Sequence, residues 1–349
     1  MKKLLLLLLA LALFSCKNET VSEDGNNEVA DAGMDRFNPA QFIGKDYIID
    51  DQHSYIGFKI KYFGFSPVRG RFDTFNGSVF YDSDHLSHVD ISVVIDVNSI
   101  NTGNERRDND LITSDGWFKE KEFPKISFET ISSEANGDGS FQLTGHFSMN
   151  GVTKELTIPF GIPTAISHDW AANEQVDYSG KITLKRKDYN VMGGDFWDTV
   201  LEDGLTQLSD EVEIELDIHT RRGDYQARYD QLENDNVRKV LIDLFKAEGT
   251  EAALTKLEIL QHTEETALSA GALNTIGKTL LEWEMYSEAY TLFEKGSTFF
   301  PDKSLFHNNQ GIANLYLNRP EVAKKNFLTA LKIDSFNIRA KSYLRLLEK

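Results

Sequence analysis

The chain has one cysteine, Cys16, among 349 residues. Beyond that position there can be no internal disulfide, no cysteine-ligated metal and no thiol nucleophile. It also lacks a Gly-x-Ser-x-Gly elbow, a phosphate-binding glycine loop and a dinucleotide fingerprint. The common nucleophilic and nucleotide-dependent chemistries therefore have no support in it. Positive charge is scarce too: 37 basic residues stand against 55 acidic ones. The deficit is local. Between Asp46 and Gly223 there are 16 basic and 31 acidic residues, and from Asp224 to Lys349 there are 16 and 18. Such an acidic first half repels nucleic acid and anionic lipid headgroups. Any ligand it takes must be held mainly by its apolar part.

The apolar run from Leu4 to Phe14 is too short to span a bilayer. Preceded by Lys2 and Lys3 and followed by Ser15, it has the order of a secretory signal. Leu13-Phe14-Ser15-Cys16 resembles the bacterial lipobox, which implies acylation of Cys16 as the mature N-terminus; the plain alternative is a secretory signal that happens to end in Cys. Lys17, not Asp, follows, which by the same resemblance points to the outer membrane of a bacterial envelope, facing the periplasm. Several acyl chains suffice for stable anchoring. Residues 17–45, rich in Asn, Glu, Asp, Gly and Ser, read as a disordered tether.

From residue 46 onward apolar and polar residues alternate with a period of two. Ile56, Phe58, Ile60 and Tyr62 alternate with Gly57, Lys59 and Lys61. Val89, Ile91, Val93, Ile95 and Val97 form a second such face, Leu156, Ile158, Phe160 and Ile162 a third, and Val212, Ile214, Leu216 and Ile218 a fourth. Each strand has one dry side and one wet side. Asn150-Gly151 supplies the positive φ angles of a tight hairpin turn, pairing 141–147 with 153–158. Further strands fit near 71–81, 125–132 and 178–187. About eight strands with few helices between them predict a closed barrel or a sandwich. An eight-stranded barrel has room for one small ligand, but the residues alone leave open whether the dry faces fill that room or line it.

Six segments in this order, HSYIGFKI, GRFDTFNG, SINTGNERRD, EFPKISFET, LTGHFSMNGVTK and LKRKDY, resemble the YceI-like family over residues 46–220. The resemblance implies a lipocalin-like antiparallel barrel that binds a polyisoprenoid or similar amphiphilic lipid, with no catalysis and no cofactor. It makes the inward aromatics Phe58, Tyr62, Phe72, Phe75, Phe128, Phe147 and Phe160 candidate lipid contacts. The long break from Asn101 to Pro124 then becomes a portal, with a short helix from about Glu105 to Ile112 over one mouth and Trp117 and Phe118 at the rim. The bland alternative makes Arg107 and Asp108 a lid-fixing ion pair of about 1 kcal/mol or less. Tyr62 stands where relatives often carry His, and Asn190 where Gly is common, which puts the headgroup chemistry in question.

Arg186 falls on the inward face with Ile182 and Leu184 if alternation persists. A buried guanidinium needs a partner. Asp188, Asp210 and a ligand headgroup are candidates, and a strand end that returns Arg186 to water, the reading preferred, removes the need. His85 and His88 lie in a polar turn with no further ligand pattern, so no metal site is expected. His53 and Ser54 are neighbours on a strand and point to opposite faces, which excludes a direct base–nucleophile pair.

After Arg222 the period changes to that of helices, and a 34-residue repeat appears. Gly277 matches Gly311, Ala289 matches Ala323, Phe293 matches Phe327 and Gly296 matches Ala330. The pattern resembles the tetratricopeptide repeat, with units at 270–303 and 304–337, a looser pair at about 236–262 and a capping helix from Ile338 to Leu347. That resemblance implies a groove for a protein partner, with Asn274, Asn308 and Asn309 as candidate contacts; the plainer alternative is a helical module packed on its own barrel or on another copy. The expected organisation is a lipoprotein signal at 1–16, a tether at 17–45, an all-β barrel at 46–222 and an all-α array at 223–349.

Overall fold

The computed structural model describes residues 45–348 except 203 and 264–266. The segment expected to be a signal, Cys16 and the expected tether up to residue 44 lie outside the described residues. The strands are β1 (Asp46–Ile49), β2 (Tyr55–Tyr62), β3 (Ser66–Phe72), β4 (Phe75–Phe80), β5 (Asp90–Asp96), β6 (Ile100–Asn101), β7 (Lys125–Ala135), β8 (Phe141–Met149), β9 (Val152–Phe160), β10 (Ser167–His168), β11 (Asn173–Lys185) and β12 (Leu208–Gly223). All pairings are antiparallel, and pairing of β11 with β12 closes the sheet.

The closed barrel has eight staves. Three are broken in the middle: β1 and β2 lie end to end along β12, β3 and β4 lie beside them, and β5 and β6 follow. Aspartates stitch the breaks. The Asp50 side chain accepts from Gln52 N at 3.1 Å and Asp96 from Asn98 N at 3.0 Å, the local turn that short acidic side chains favour. The single strand expected near 71–81 is therefore two, parted at Asp73 and Thr74, where Asp73 N bonds Ser99 O instead of extending the ladder. The Asn150-Gly151 hairpin has the expected form. Met149 pairs with Val152, and the two turn residues take φ of 49° and 79°.

Helix α1 (Glu105–Thr113) crosses one end of the barrel, its N-cap Asn104 accepting from Arg107 N. From the other end of β12 run α2 (Tyr225–Asp230), α3 (Val237–Ala247), α4 (Thr250–Gln261), α5 (Ala270–Glu282), α6 (Tyr286–Phe299), α7 (Ser304–Tyr316), α8 (Pro320–Ile333) and α9 (Ile338–Leu346). The 34-residue step is real in space: α7 starts 34 residues after α5, and α8 starts 34 after α6. Small residues sit where rings arrive. A Cβ on Gly277 would lie 2.3 Å from the Phe293 ring, and one on Gly311 would lie 2.5 Å from Phe327. Pro320 opens α8, where its missing N–H costs nothing.

The barrel and the helices share a packed boundary. Phe80, on the outer face of β4, leaves the barrel and joins the helical core, edge-on to Tyr343 at 5.0 Å, and Tyr343 stacks on Phe327 at 5.0 Å. Ser78 bonds Ser342 at 2.8 Å. Arg345 pairs with Asp90, and Arg339 pairs with Asp46. Packing among the helices alters the expectation for Asn308 and Asn309, which do not lie on an open groove. Both are buried, at 3% and 2% exposure, because α7 lies between α6 and α8, and Asn309 Nδ2 donates to Asn274 Oδ1 at 2.5 Å. These side chains join α5 to α7.

Tyr343→Ala should cost about 3–5 kcal/mol, the range for truncating a large buried ring. It should also split one urea unfolding transition into two, because the ring joins both cores. A loss below about 1 kcal/mol with one transition retained would mean that the boundary does not couple the two parts.

Candidate functional site

The barrel interior is packed at one end and hollow at the other. At the helix-side end Tyr47, Tyr81, Tyr178, Phe141 and Phe160 form a chain of rings with centroids 5.2 to 6.3 Å apart. Tyr178 and Phe141 are at most 1% exposed. The opposite end holds a cavity of about 1130 Å³, just above the usual range for small-molecule sites. Its wall is apolar: Ile60, Val93, Ile95, Leu156, Ile182, Val212 and Ile214 all face it. Polar lining residues gather at the α1 end, where Ser66, Thr102, Asn104, Arg106, Arg107, Asp110, Ser114 and Arg186 border it. The cavity is thus polarised along the barrel axis.

Phe58, Tyr62, Phe72, Trp117, Phe118, Phe128, Phe147, Phe160 and Arg186 all border this space. Phe75 does not. It is buried in the barrel core, three residues beyond Phe72 across the break at Asp73 and Thr74. The interruption turns both rings inward but places Phe75 away from the cavity wall.

Two segments cover the mouth. One is residues 102–124 with α1; the other is formed by residues 190–202 and 204–207. Arg107 and Asp108 do not pair with each other in the way the bland reading supposed. Arg107 donates to Thr102 Oγ1 at 2.7 Å and to Thr102 O at 2.9 Å, while Asp108 accepts from Thr102 N at 2.9 Å. Both thus anchor the start of α1 to the end of β6. The two covering segments are joined backbone to backbone, Gly193 N to Gly116 O at 2.8 Å. Gly193 has φ 78°, and a Cβ there would lie 2.8 Å from the Trp117 ring, so a larger residue would push the covers apart. Asn150, the hairpin residue, donates to both Trp117 O and Asn190 O at 3.0 Å. Trp197 lies between Trp117 at 6.3 Å and Tyr62 at 6.0 Å and completes an aromatic rim.

Arg186 holds the second cover from below. It is 3% exposed, so it does not return to water, and its ion-pair partner is neither Asp188 nor Asp210. It donates to Ser209 O at 3.0 Å, Val191 O at 2.9 Å, Met192 O and Asp198 Oδ1 at 2.7 Å. Asp188 instead lies 3.6 Å from Lys154, and Asp210 accepts from Lys187 N at 3.1 Å. Lys187 adds a second cation to Asp198 at 2.9 Å. Partial burial works against ionisation of Asp198, but the hydrogen bonds from Lys187 and Arg186 outweigh it and hold the carboxyl below the usual range. Sequence reasoning missed Asp198 and Trp197 because neither lies in a periodic segment.

The other titratable candidates are occupied locally. His85 Nδ1 is 2.9 Å from Asp82, and His53 Nδ1 is 3.1 Å from Asp50. The Ser54 hydroxyl bonds the His219 backbone. His168, Glu174 and Asp224 approach one another, but both Glu174 oxygens are engaged by Arg222 and Tyr47.

A carboxylate held below its ordinary range stabilises the fold above the unfolded-state value near 4. That stability is lost as pH falls through the lower folded value. Tryptophan fluorescence followed from about pH 7 down to about pH 2 should show a step below about pH 4 as the loop carries Trp197 away from Trp117. Asp198→Asn should lack the step and resemble the acid form at neutral pH. An identical titration in the variant would exclude this carboxylate as the clamp.

Residues 47–220 match the family model described as the YceI-like domain. A UPF0312 protein of Pseudomonas aeruginosa is 35% identical over 161 residues, which is 46% of this chain and 83% of that protein. Among solved structures, BcnA of Burkholderia cenocepacia aligns over 49% of this chain and 98% of its own, with 21% identity and a TM-score of 0.42. A polyisoprenoid binding domain from Saccharophagus degradans aligns over 50% of this chain and 97% of its own, with 15% identity and a TM-score of 0.35.

Proposed function

Because the chain belongs to the YceI-like family through its barrel, we propose that this barrel is a non-catalytic carrier of one long-chain amphiphile, of the polyisoprenoid class that its sequence resemblance implies. The observation that carries this reading is the cavity: about 1130 Å³, apolar along the strands and polar only at its covered mouth. A chain buried there contributes about 0.8 kcal/mol per CH₂ group, so affinity needs no charge from an acidic barrel. The headgroup sits at the α1 end, where Arg106 and Arg107 border the opening. The rival reading, a scaffold whose barrel is a solid core, leaves that space without a use.

The rest of the assignment is of the same kind. The helical region is read as a short tetratricopeptide-type array, supported by its 34-residue step and its glycine–phenylalanine contacts. Its protein partner docks on the second helices of the pairs, where Val322 and Leu328 of α8 are exposed. Cys16 anchors the protein by lipid to the outer membrane of a bacterial envelope, facing the periplasm.

Protein purified from its native membrane should release a long-chain lipid on organic extraction, detected by mass spectrometry. Leu156→Trp, which fills the cavity from its wall, should abolish uptake of added prenols while leaving far-UV circular dichroism unchanged. Empty protein that takes up no prenol would end the carrier reading. Cys16→Ser should abolish incorporation of labelled palmitate and move the protein to the soluble fraction; a membrane-bound variant would remove the anchor.

A further inference from the structure

A second opening lies between the helix-side end of the barrel and the helices. It measures about 420 Å³ and is bordered by β1, β12, α2, α5, α7 and α9. In a chain of net charge −18, its wall carries Arg221, Arg222, Arg228, Lys278 and Arg339 against Asp46 and Glu282. Three of these cations are engaged within the protein, Arg221 among them, 3.5 Å from the Asp50 carboxylate. Arg222 grips Glu174 with two hydrogen bonds, at 3.1 and 2.7 Å, and Arg339 pairs with Asp46. Glu282 is engaged by Gln226 N at 2.8 Å.

Lys278 and Arg228 differ. Lys278 is half-buried, and its ammonium has no hydrogen-bond acceptor or ion-pair partner among the described residues; it stands 6.0 Å from the centroid of the Tyr225 ring. Burial works against its charge and lowers its pKa. Arg228 lies over the same ring at 5.0 Å and spends one nitrogen on Asn173 Oδ1 at 2.5 Å. Its other N–H groups have no acceptor among the described residues. Donors therefore outnumber acceptors in this cleft; Glu282 attracts Lys278 only at longer range, and a desolvated cation that makes no hydrogen bond is costly. A multiply charged oxyanion can accept from an ammonium and a guanidinium together.

We propose that the cleft binds a small oxyanion of the phosphate class, free or as a phosphate ester, with Lys278 and Arg228 as its main donors. The bound anion ties α2 and α5 to the barrel. The site is separate from the amphiphile cavity and stands or falls without it.

The test titrates purified full-length protein with inorganic phosphate, or with glycerol 3-phosphate, against chloride at matched ionic strength while the melting temperature is read. The expected result is a saturable rise of about 2–4 °C. A lower saturating concentration for glycerol 3-phosphate identifies an ester; an equal one identifies free phosphate. Lys278→Met should abolish the saturable rise and leave the basal melting temperature equal or higher, because it removes a desolvated charge. Lys278→Arg and the exposed Lys332→Met should keep the rise. Arg228→Gln should weaken it, and serves if Lys278→Met does not fold. No rise, or a rise that does not saturate and persists in Lys278→Met or Arg228→Gln, is the general effect of phosphate on burial and overturns the proposal.

Discussion

Thirteen consecutive pairs, from Asn173↔Gly223 to Lys185↔Glu211, join β11 to β12 and close the sheet on itself. Closure is the constraint behind everything else in this molecule. It satisfies the backbone of both strands, removes the sheet edge, and turns the dry faces of eight staves toward one axis. It also sets both exits. β11 ends at Lys185, just before Arg186 beside the mouth, and β12 ends at Gly223, where the helices begin. By contrast β9 and β11 share only Gly180↔Phe160, so the wall beside the upper cavity depends on the segment after Arg186. There Tyr189 packs edge-on to Phe147 at 5.2 Å.

A closed wall of this size is wider than its side chains can fill everywhere, and the two ends resolve this differently. At the helix-side end rings meet rings, from Tyr47 through Tyr81 and Tyr178 to Phe141 and Phe160. At the other end aliphatic side chains stop short of the axis and leave the cavity. The covers over it are held by hydrogen bonds, by the two cations on Asp198 and by apolar packing of Leu111, Ile112 and Phe118 on the barrel core.

The acidic surface of the barrel has a structural counterpart. Asp46 and Asp90 lie on its outer face and are buried by α9, which brings Arg339 and Arg345 to them. Buried ion pairs of this kind add little net stability but specify where one surface meets another. Phe80 and Tyr343 supply the apolar area at the same boundary. The capping helix α9 is thereby committed to the barrel.

Much of this was legible in the chain. Alternation with period two marked the strands, Asn150-Gly151 marked its hairpin, and the spacing of Gly277, Phe293, Gly311 and Phe327 marked the repeated helix pairs. These are local rules: side-chain direction in a strand, positive φ at a turn and the clearance a glycine leaves are decided within a few residues. What the pattern did not contain was anything set by closure and packing. Whether inward residues meet or stop short depends on barrel circumference, so Phe141 and Ile182 look alike in sequence and play opposite parts. The partner of Arg186 is Asp198, in a loop with no period. Asn308 and Asn309 read as groove contacts until α7 was placed between α6 and α8. The sequence by itself determined the elements and the faces they show, because those follow from neighbours along the chain. Only the tertiary structure decided where the interior is empty and which charges it holds, because those depend on groups brought together from far apart.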